Sequence, residues 1–433
     1  MEITCISILI LVCIFLYSCW DTLYRRRNLP PGPTPLPLIG TLLHIRRGEL
    51  VNSLMKLWDQ YGSVYTLYFG PRPVVVLCGY DAVKEALIDH DEEFGARCPL
   101  PVLERFAKGY GITLSNGERW KLTRSFTVKT LKSFGFGKKS IEWKIQTEAQ
   151  CIVDEFRKSN GQPFDPHKKI MEAIANVLCS IIFGDRFEYK DERFAKLLEF
   201  VDDSFQLTSS TWGQEKSKPY TIFNLRNLLV TTQNLIIAGT ETVSTTLRYG
   251  LLILLKYPDV QAKLHEEIDQ VIGGYRVPTF DDRMQMHYTQ AVIHEIQRFC
   301  DIGPLNAPHM VTRDVQFRGY QIPKGTEIYP LLCTVHRDPK QFSSPWKFNP
   351  NHFLDESGNF KKNDALMAFS AGKRICPGKN MACMELFIFL TTILQNFKLT
   401  SPTEITDADI APRMKGFLNA PITYKLSCLP RQI

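Results

Sequence analysis

The chain has 433 residues, of which 44% are hydrophobic, and its formal net charge is +7 at pH 7. The apolar content is sufficient for a large core, and the mild, dispersed positive charge argues against nucleic-acid binding while suiting an anionic membrane surface or an acidic protein partner. Twelve cysteines are scattered without a short-spaced framework, which argues against a disulfide scaffold and predicts reduced thiols facing the cytosol.

The N-terminal segment is the first predicted element. Residues 3–20 carry no charge, and as a helix they would be about 27 Å long, close to the hydrocarbon thickness of a bilayer. The arginines at positions 25–27 predict that the following chain stays in the cytosol. A cleaved signal peptide is the alternative, but the start carries Glu2 instead of lysine or arginine, and no small-residue cleavage site follows. We therefore expect an uncleaved transmembrane signal anchor over residues 1–24.

A basic and proline-rich stretch over residues 25–40 comes next. Its prolines, at positions 30, 31, 33, 35 and 37, prevent a helix. The stretch is therefore predicted to be a stiff, extended linker. The remaining residues, 41–433, are expected to form a single domain.

The first part of this domain has β character. Residues 64–69 and 74–77 are rich in β-forming residues and enclose Gly-Pro-Arg-Pro, which predicts a hairpin. A short helix is predicted over residues 81–89. Arg97 follows in what is expected to be an irregular loop.

Two later segments are also predicted to be β-structure. Residues 318–322 and 326–331 enclose Pro-Lys-Gly and are expected to pair as a hairpin. Residues 411–426 are expected to form a terminal β-element with a turn at 416–418.

Two helices carry polar residues in informative positions. Trp120 and Arg124 are four apart on a predicted helix, so they share a face, although a surface cation–π pair would have the same spacing. Residues 225–255 predict a long helix with Ala-Gly-Thr-Glu-Thr at its middle. Small residues there create a groove for something flat, and the hydroxyl of Thr242 can hold water or a bound oxygen species beside the acid of Glu241. A buried helix with a small-residue packing site is the alternative interpretation.

The strongest pattern is Phe369-Ser-Ala-Gly-Lys-Arg-Ile-Cys-Pro-Gly, which leads into a predicted buried helix over residues 381–394. Amide groups at a helix start favour a thiolate at Cys376, and Arg374 adds positive charge. Structural zinc needs four ligands, but the nearest other cysteine is Cys383, inside the apolar helix, and no histidine is near. A single thiolate with the other ligands from a macrocycle indicates haem iron. A buried structural cysteine is the alternative.

This loop resembles the haem-thiolate signature of the cytochrome P450 superfamily, and in particular that of the vertebrate microsomal family 2. The resemblance extends over nearly the whole chain. It implies a mainly α fold with small β-sheets, with residues 41–433 as a haem-thiolate catalytic domain. The implied cofactor is haem b (iron protoporphyrin IX), with Cys376 as the axial ligand of the iron.

The resemblance also implies roles for other residues. Thr242 and Glu241, with ordered water, would deliver protons to oxygen, and a pair formed by Glu295 and Arg298 would steady the core under the cysteine loop, with His352 as its third partner. The residues expected to contact the haem or its propionates are Arg97, Trp120, Arg124, Ala238, His309, Phe369 and Arg374.

One departure from the family is a gap. Only 118 positions separate Trp120 from Ala238, whereas family members carry several dozen more. The loss is predicted near Gln214, within residues 209–221. The missing part would be about two helices that cap the substrate pocket, so their loss is expected to expose apolar surface.

The implied reaction inserts one oxygen atom of O2 into lipophilic substrates: xenobiotics, steroids, or fatty acids such as arachidonic acid. Electrons would come from NADPH through a flavoprotein reductase, with cytochrome b5 as an optional second partner, on the cytosolic face of the endoplasmic reticulum membrane. No nucleic-acid partner is expected.

Three lysines have two interpretations: Lys121, Lys373 and Lys379 could dock an acidic partner or be ordinary solvated lysines. A haem-binding but inactive variant and a haem-thiolate isomerase are the alternatives; residues 239–242 argue against the isomerase, which needs no proton delivery.

Overall fold

The computed structural model describes residues 28–46, 48–99, 107–136, 138–207, 224–415 and 418–431. These residues belong to two compact units. The first unit comprises Met1–Cys98, Pro304–Gln341 and Ser370–Ile375, and the second comprises Pro99–Gly303, Phe342–Phe369 and Cys376–Ile433. Within the described ranges, no helix combines the length and the apolar character needed to cross a bilayer. The predicted anchor over residues 3–20 lies outside them.

The elements are numbered in chain order. The helices are α1 (Leu50–Tyr61), α2 (Tyr80–Lys84, continued by a π-helical turn over Glu85–Asp89), α3 (Gly117–Ser133), α4 (Glu142–Arg157), α5 (His167–Ile182), α6 (Glu192–Leu207), α7 (Leu225–Lys256), α8 (Pro258–Val271), α9 (His287–Cys300), α10 (Leu332–His336), α11 (Lys379–Asn396) and α12 (Asp407–Ile410). The strands are β1 (Val64–Phe69), β2 (Arg72–Leu77), β3 (Ala96–Arg97), β4 (His309–Met310), β5 (Val315–Phe317), β6 (Tyr320–Ile322), β7 (Glu327–Pro330), β8 (Phe397–Thr400), β9 (Arg413–Lys415), β10 (Leu418–Ala420) and β11 (Ser427–Pro430). Short 3₁₀ turns lie at Leu42–His44, Lys139–Ile141, Phe280–Met284, Pro350–Phe353 and Gly372–Arg374.

The first unit is built on a five-stranded sheet in the order β1-β2-β7-β4-β3. β1 and β2 are antiparallel, with Val64 opposite Leu77, which confirms the first predicted hairpin. Val74, Val75 and Val76 are fully buried, as expected for β-branched residues in a strand with neighbours on both sides.

Two predictions for this unit were wrong. Arg97 lies in β3, opposite His309 of β4, and not in an irregular loop. A two-residue strand is too short to have a sequence signal of its own. The second hairpin is formed by β5 and β6 around Arg318 and Gly319, both with positive φ. Such a two-residue turn matches the twist of paired strands, so β7 is left to join β2 and β4.

The proline-rich stretch packs, over its described part, along β1. The amide of Thr66 donates to the carbonyl of Pro31 at 2.8 Å. The amide of Tyr68 donates to Oγ1 of Thr41 at 2.9 Å, and the amide of Thr41 donates to the carbonyl of Tyr68 at 2.8 Å. A Cβ at Gly32 would lie 2.0 Å from the carbonyl oxygen of Thr66, so the backbone can come this close only with glycine.

The second unit is helical, and its core surrounds α7 and α11. Both helices match their predicted extents closely. Residues 243–254 of α7 and 384–395 of α11 are buried, so these parts are covered on every side. β9 and β10 form the terminal β-element that was predicted, although Gly416 and Phe417 lie outside the described residues.

The beginning of α7 differs from the rest of that helix. Asn224 caps it by accepting a hydrogen bond from the amide of Asn227 at 2.9 Å. Leu225, Leu228 and Leu229 then expose between 55% and 70% of their surface. This agrees with the expectation that a chain shortened just before α7 would leave apolar surface uncovered.

A buried ion pair connects α9 to the chain around residues 345–352. Arg298, which is fully buried, donates to both carboxylate oxygens of Glu295 at 2.7 and 2.6 Å. It also donates to the carbonyls of Pro345 and Lys347 at 2.7 and 2.8 Å. Nδ1 of His352 lies 3.2 Å from both oxygens of Glu295. The predicted three-residue network is therefore confirmed.

Candidate active site

The cysteine loop is shaped by a glycine with positive φ. Gly372 has φ +66°, and a Cβ there would lie 1.7 Å from the carbonyl oxygen of Leu87. No other residue fits this position without moving the backbone. The amide of Ile375 then donates to the carbonyl of Gly372 at 3.1 Å, which closes a tight turn just before the cysteine.

Cys376 follows this turn, with its amide donating to the carbonyl of Phe369 at 3.0 Å. Its side chain is exposed, whereas the other described cysteines are buried or half-buried. Protein atoms nevertheless crowd the sulfur, and this desolvation raises the pKa of the thiol. Hydrogen bonds from the amides of Gly378 and Lys379, together with the charge of Arg124, act in the opposite direction. The predicted amide donors of the helix start are therefore present, because α11 begins at Lys379.

Two predicted residues on α3 contact each other, and the charge of one of them, Arg124, acts on this sulfur. The guanidinium of Arg124 lies 5.7 Å from the ring centre of Trp120. Desolvation lowers the pKa of Arg124, and the charge of Cys376 raises it. Trp120, Arg124 and Cys376 thus come together in the second unit. Phe369, in the same unit, has the ammonium group of Lys379 5.9 Å from its ring centre.

The middle of α7 carries the small residues for which a groove was predicted. Ala238 is exposed and Thr242 half-buried, although the helix on their C-terminal side is buried. The hydroxyl of Thr242 donates to the carbonyl of Ala238 at 2.7 Å, so its oxygen remains able to accept a hydrogen bond. Oε1 of Glu241 accepts from Thr245 at 3.2 Å. A Cβ at Gly239 would lie 2.7 Å from Leu178, so this glycine allows α5 to pack closely.

A buried cationic cluster lies in the first unit. Arg97 donates to the carbonyl of Ala307 at 2.7 Å, and Arg374 donates to that of Gly95 at 2.8 Å. Burial, followed by the charges of Arg97 and then Arg374, holds the pKa of His309 well below its ordinary value. Three predicted residues, Arg97, His309 and Arg374, are thus close enough to affect one another.

His309 shows what this cluster can bind. Its Nδ1 faces the carbonyl of Phe94 at 2.6 Å, so that nitrogen carries the proton. Its Nε2 is buried and has no hydrogen-bond partner among the described residues. A carboxylate beside Nε2 would favour the imidazolium form of the ring, whose Nε2–H could then donate to it, and would offset the burial of the two guanidinium groups. Within the first unit, these residues fit a group that bears carboxylates; within the second unit, Cys376 fits a metal able to take one sulfur ligand.

His, Cys, Asp and Glu side chains offer no alternative metal centre in the part of the chain that the structure describes. They form no group of three or more that could hold a metal ion.

Two asparagines on α7 were not predicted from the sequence. Asn227 and Asn234 accept hydrogen bonds from backbone amides of residues 111–113. The available signal was weak: two asparagines seven residues apart near the start of a helix rich in leucine and isoleucine, with a glycine at position 111.

Comparison with known proteins gives a consistent result. The family model described as Cytochrome P450 matches residues 30–216 and 213–428. The rat protein Cytochrome P450 2G1 is 47% identical over 98% of each chain. The mouse protein Cytochrome P450 2A5 is 46% identical over 96% of each chain. The human protein Cytochrome P450 2A13 is 45% identical over 99% of this chain and 98% of its own.

The same comparisons locate the shortening. The alignment with the rat protein extends over 482 positions, which exceeds the 433 residues of this chain by 49, so at least that many positions face gaps here. The two matched segments of the family model meet at residues 213–216. This is the place predicted from the sequence, near Gln214.

Proposed function

The chain belongs to the cytochrome P450 family, and we propose that it is a microsomal monooxygenase acting on lipophilic small molecules. Enzymes of this family bind haem b through a cysteine thiolate. The observation that carries the proposal is the environment of Cys376, an exposed residue whose thiolate is favoured by the amides of Gly378 and Lys379 and the charge of Arg124, against the desolvation of the sulfur.

In this proposal the sulfur of Cys376 would be the protein ligand of the haem iron. Ala238 and Phe369 would flank the ring. When bound, the haem activates O2, so that one oxygen atom enters a C–H or C=C bond of the substrate and the other leaves as water. The residues proposed to hold the propionates by charge-assisted hydrogen bonds are Arg97, Trp120, Arg124, His309 and Arg374.

Thr242 and Glu241 are proposed to deliver protons. Thr242 donates its own proton to Ala238, so its oxygen is left to accept a hydrogen bond from a water molecule. A water molecule held there could donate its other hydrogen to a bound oxygen species. Glu241 accepts a hydrogen bond from Thr245, which fixes its carboxyl group. It is the nearby acid that can supply a new proton to the water after each transfer.

Replacing Thr242 with valine tests this role, because valine keeps the shape and removes the hydroxyl. We expect product formed per NADPH consumed to fall by about 10-fold or more, since reducing equivalents would be spent without a correctly delivered proton. The measurement is the ratio of product to NADPH in a reconstituted assay.

The matched control is Thr246→Val, one turn along the same helix, where the hydroxyl donates to the carbonyl of Thr242 at 2.8 Å. It should leave the ratio unchanged. Equal losses in both variants would contradict a proton-delivery role for Thr242.

We propose that the electrons come from NADPH through a flavoprotein reductase, with cytochrome b5 as an optional second donor, at the cytosolic face of the endoplasmic reticulum membrane. The apolar residues 3–20 support a membrane location.

Two lysines close to Cys376 in the sequence differ in how well they could bind an acidic partner. Lys373 already pairs with Asp91 at 3.2 Å and with Glu92, whereas Lys379 is exposed at the start of α11. The proposed substrates are xenobiotics, steroids and fatty acids such as arachidonic acid.

A second candidate is a haem-binding protein without turnover. It is favoured by the exposed leucines at the beginning of α7 and by the 49 or more alignment positions that face gaps in this chain. Without the covering helices, water would reach the site and unproductive reactions would compete.

The carbon monoxide difference spectrum of the reduced, expressed protein is the first test. A Soret band at the red-shifted position of thiolate-ligated haem is expected. A band at the position typical of histidine-ligated haem, or no band, would overturn the proposal. Turnover with reductase and NADPH then separates the monooxygenase from the silent haem protein.

A further inference from the structure

The loop over residues 107–116 is fastened to the beginning of α7 by two asparagines. Oδ1 of Asn227 accepts the amide of Gly111 at 2.8 Å. Oδ1 of Asn234 accepts the amides of Ile112 and Thr113 at 3.2 and 3.4 Å. Seven residues along a helix correspond to about 10.5 Å and two turns, so both side chains leave α7 from the same face. The loop therefore lies lengthwise along that face.

Gly111 is required for this contact. Its φ is +80°, and a Cβ there would lie 2.4 Å from Oδ1 of Asn234. Every other residue would push the loop away from α7. The close approach is thus built into the loop as well as into the helix.

Asn227 also reaches a third element. Its Nδ2 donates to Oγ1 of Thr123 on α3 at 3.0 Å, and both side chains are almost completely buried. Thr123 stands between Trp120 and Arg124, the residues of α3 proposed to hold the haem. A single amide group therefore connects the loop, the haem-side helix α3 and the oxygen-side helix α7.

Two arginines on one aromatic ring strengthen the same contact between the loop, α3 and α7. Arg119 of α3 and Arg226 of α7 lie 4.7 and 5.4 Å from the ring centre of Tyr110. Nη1 of Arg119 also donates to the carbonyl of Gly109 at 3.1 Å. Cation–π contacts of this kind add to the hydrogen bonds of the asparagines.

The place on α7 where the loop over residues 107–116 is bound lies next to the proposed oxygen-binding residues. Asn227, Asn234, Ala238 and Thr242 are spaced by seven, four and four residues, so they follow one stripe of the helix. The loop covers the first part of this stripe and ends about 6 Å, or four residues, before the groove at Ala238. Whatever binds over Ala238 and Thr242 in the second unit therefore has the loop as its neighbour.

We propose that Asn227 and Asn234 are positioning residues that hold loop 107–116 as the wall of the substrate space, with Asn227 coupling that wall to α3. The inference rests on the proposed haem site. It concerns how much room a ligand of the iron has, and not whether the haem binds. The chain is shortened just before α7, so fewer neighbouring residues can support this wall than in its longer relatives.

Two ligands that bind haem iron through the same group provide the test. Imidazole is small and needs only the iron, whereas 4-phenylimidazole carries a ring that must fit beside the wall. In Asn227→Leu we expect the dissociation constant of 4-phenylimidazole, from its Soret shift, to rise about ten-fold. That of imidazole should stay within about two-fold. Hydrogen exchange at the amides of residues 111–113 should become faster.

The controls separate a positioning role from general damage. Asn224→Ala removes the cap of α7, so it should lower stability but leave the ratio of the two dissociation constants unchanged. Thr123→Val removes only the link to α3 and should give a smaller change in the ratio than Asn227→Leu. If Asn227→Leu does not fold, Asn234→Leu takes its place in the same measurements.

The results that overturn the inference are distinct from those that overturn the haem proposal. An unchanged ratio with unchanged hydrogen exchange at residues 111–113 would rule out the positioning role. Equal weakening of both ligands would likewise place the effect at the iron instead of the wall. Absence of any Soret band in the unaltered protein would instead remove the proposed function itself.

Discussion

Replacing Cys376 with serine is expected to eliminate the red-shifted Soret band of the reduced carbon monoxide complex. A serine hydroxyl does not ionise near neutral pH, so the amides of Gly378 and Lys379 would have no anionic sulfur to stabilise. Monooxygenase activity should fall by at least about 100-fold, since even partners that only support a metal ligand are worth 10- to 100-fold. The measurements are the difference spectrum and turnover with reductase and NADPH.

Cys383 offers a matched control for this substitution. It lies seven residues further along, half-buried on α11, where burial raises the pKa of its thiol to about 11. Cys383→Ser removes the same sulfur atom from the same helix without removing the proposed ligand, so the band should persist. A red-shifted band that survives in Cys376→Ser and disappears in Cys383→Ser would show that the ligand had been wrongly assigned.

Breaking the buried pair on α9 is expected to produce the largest loss of stability. Arg298→Met leaves the carboxylate of Glu295 buried with only the amide of Asn349 and the ring of His352 beside it. An uncompensated buried charge of this kind lowers the free energy of unfolding by about 3–5 kcal/mol. The four hydrogen bonds that Arg298 donates to Glu295, Pro345 and Lys347 would also be lost. Urea unfolding followed by near-ultraviolet circular dichroism measures the change.

Two further variants distinguish the buried charge from the lost packing. In the double variant Glu295→Gln with Arg298→Met, no charge is left unpaired, so the loss should be smaller than in Arg298→Met alone. Arg193→Met makes the same substitution at an exposed pair with Asp191 and should leave stability nearly unchanged. A double variant less stable than Arg298→Met would show that the pair acts through shape and not through charge.

The features that the sequence predicts correctly are those with a local cause. The cysteine loop depends on glycines and a helix start within ten residues, and α7 and α11 depend on long runs of apolar residues. The pair of Glu295 and Arg298 depends on a spacing of three within one helix. Each of these can be recognised without knowing which distant residues will be neighbours.

What the sequence does not predict is pairing between distant residues. Arg97 meets His309 because β3 pairs with β4, and both strands are only two residues long, so no alternation of apolar and polar residues marks them. Likewise, an asparagine in the first turn of a helix suggests a cap, and nothing nearby indicates that Asn227 will bond Gly111 and Thr123. Contacts of this kind depend on tertiary packing, which overrides local preference.

The stretch that packs along β1 has a consequence for solubility. β1 is the end strand of its sheet, and an uncovered end strand presents a row of free amides and carbonyls on which a second chain can add its own strand. The bonds from Thr66 and Tyr68 to Pro31 and Thr41 occupy that row with a segment whose prolines offer no amide in return. A chain truncated to begin after Thr41 would lose this cover and should associate edge to edge at high concentration. The proline-rich segment that follows the predicted anchor would then prevent self-association through β1, in addition to separating the anchor from the domain.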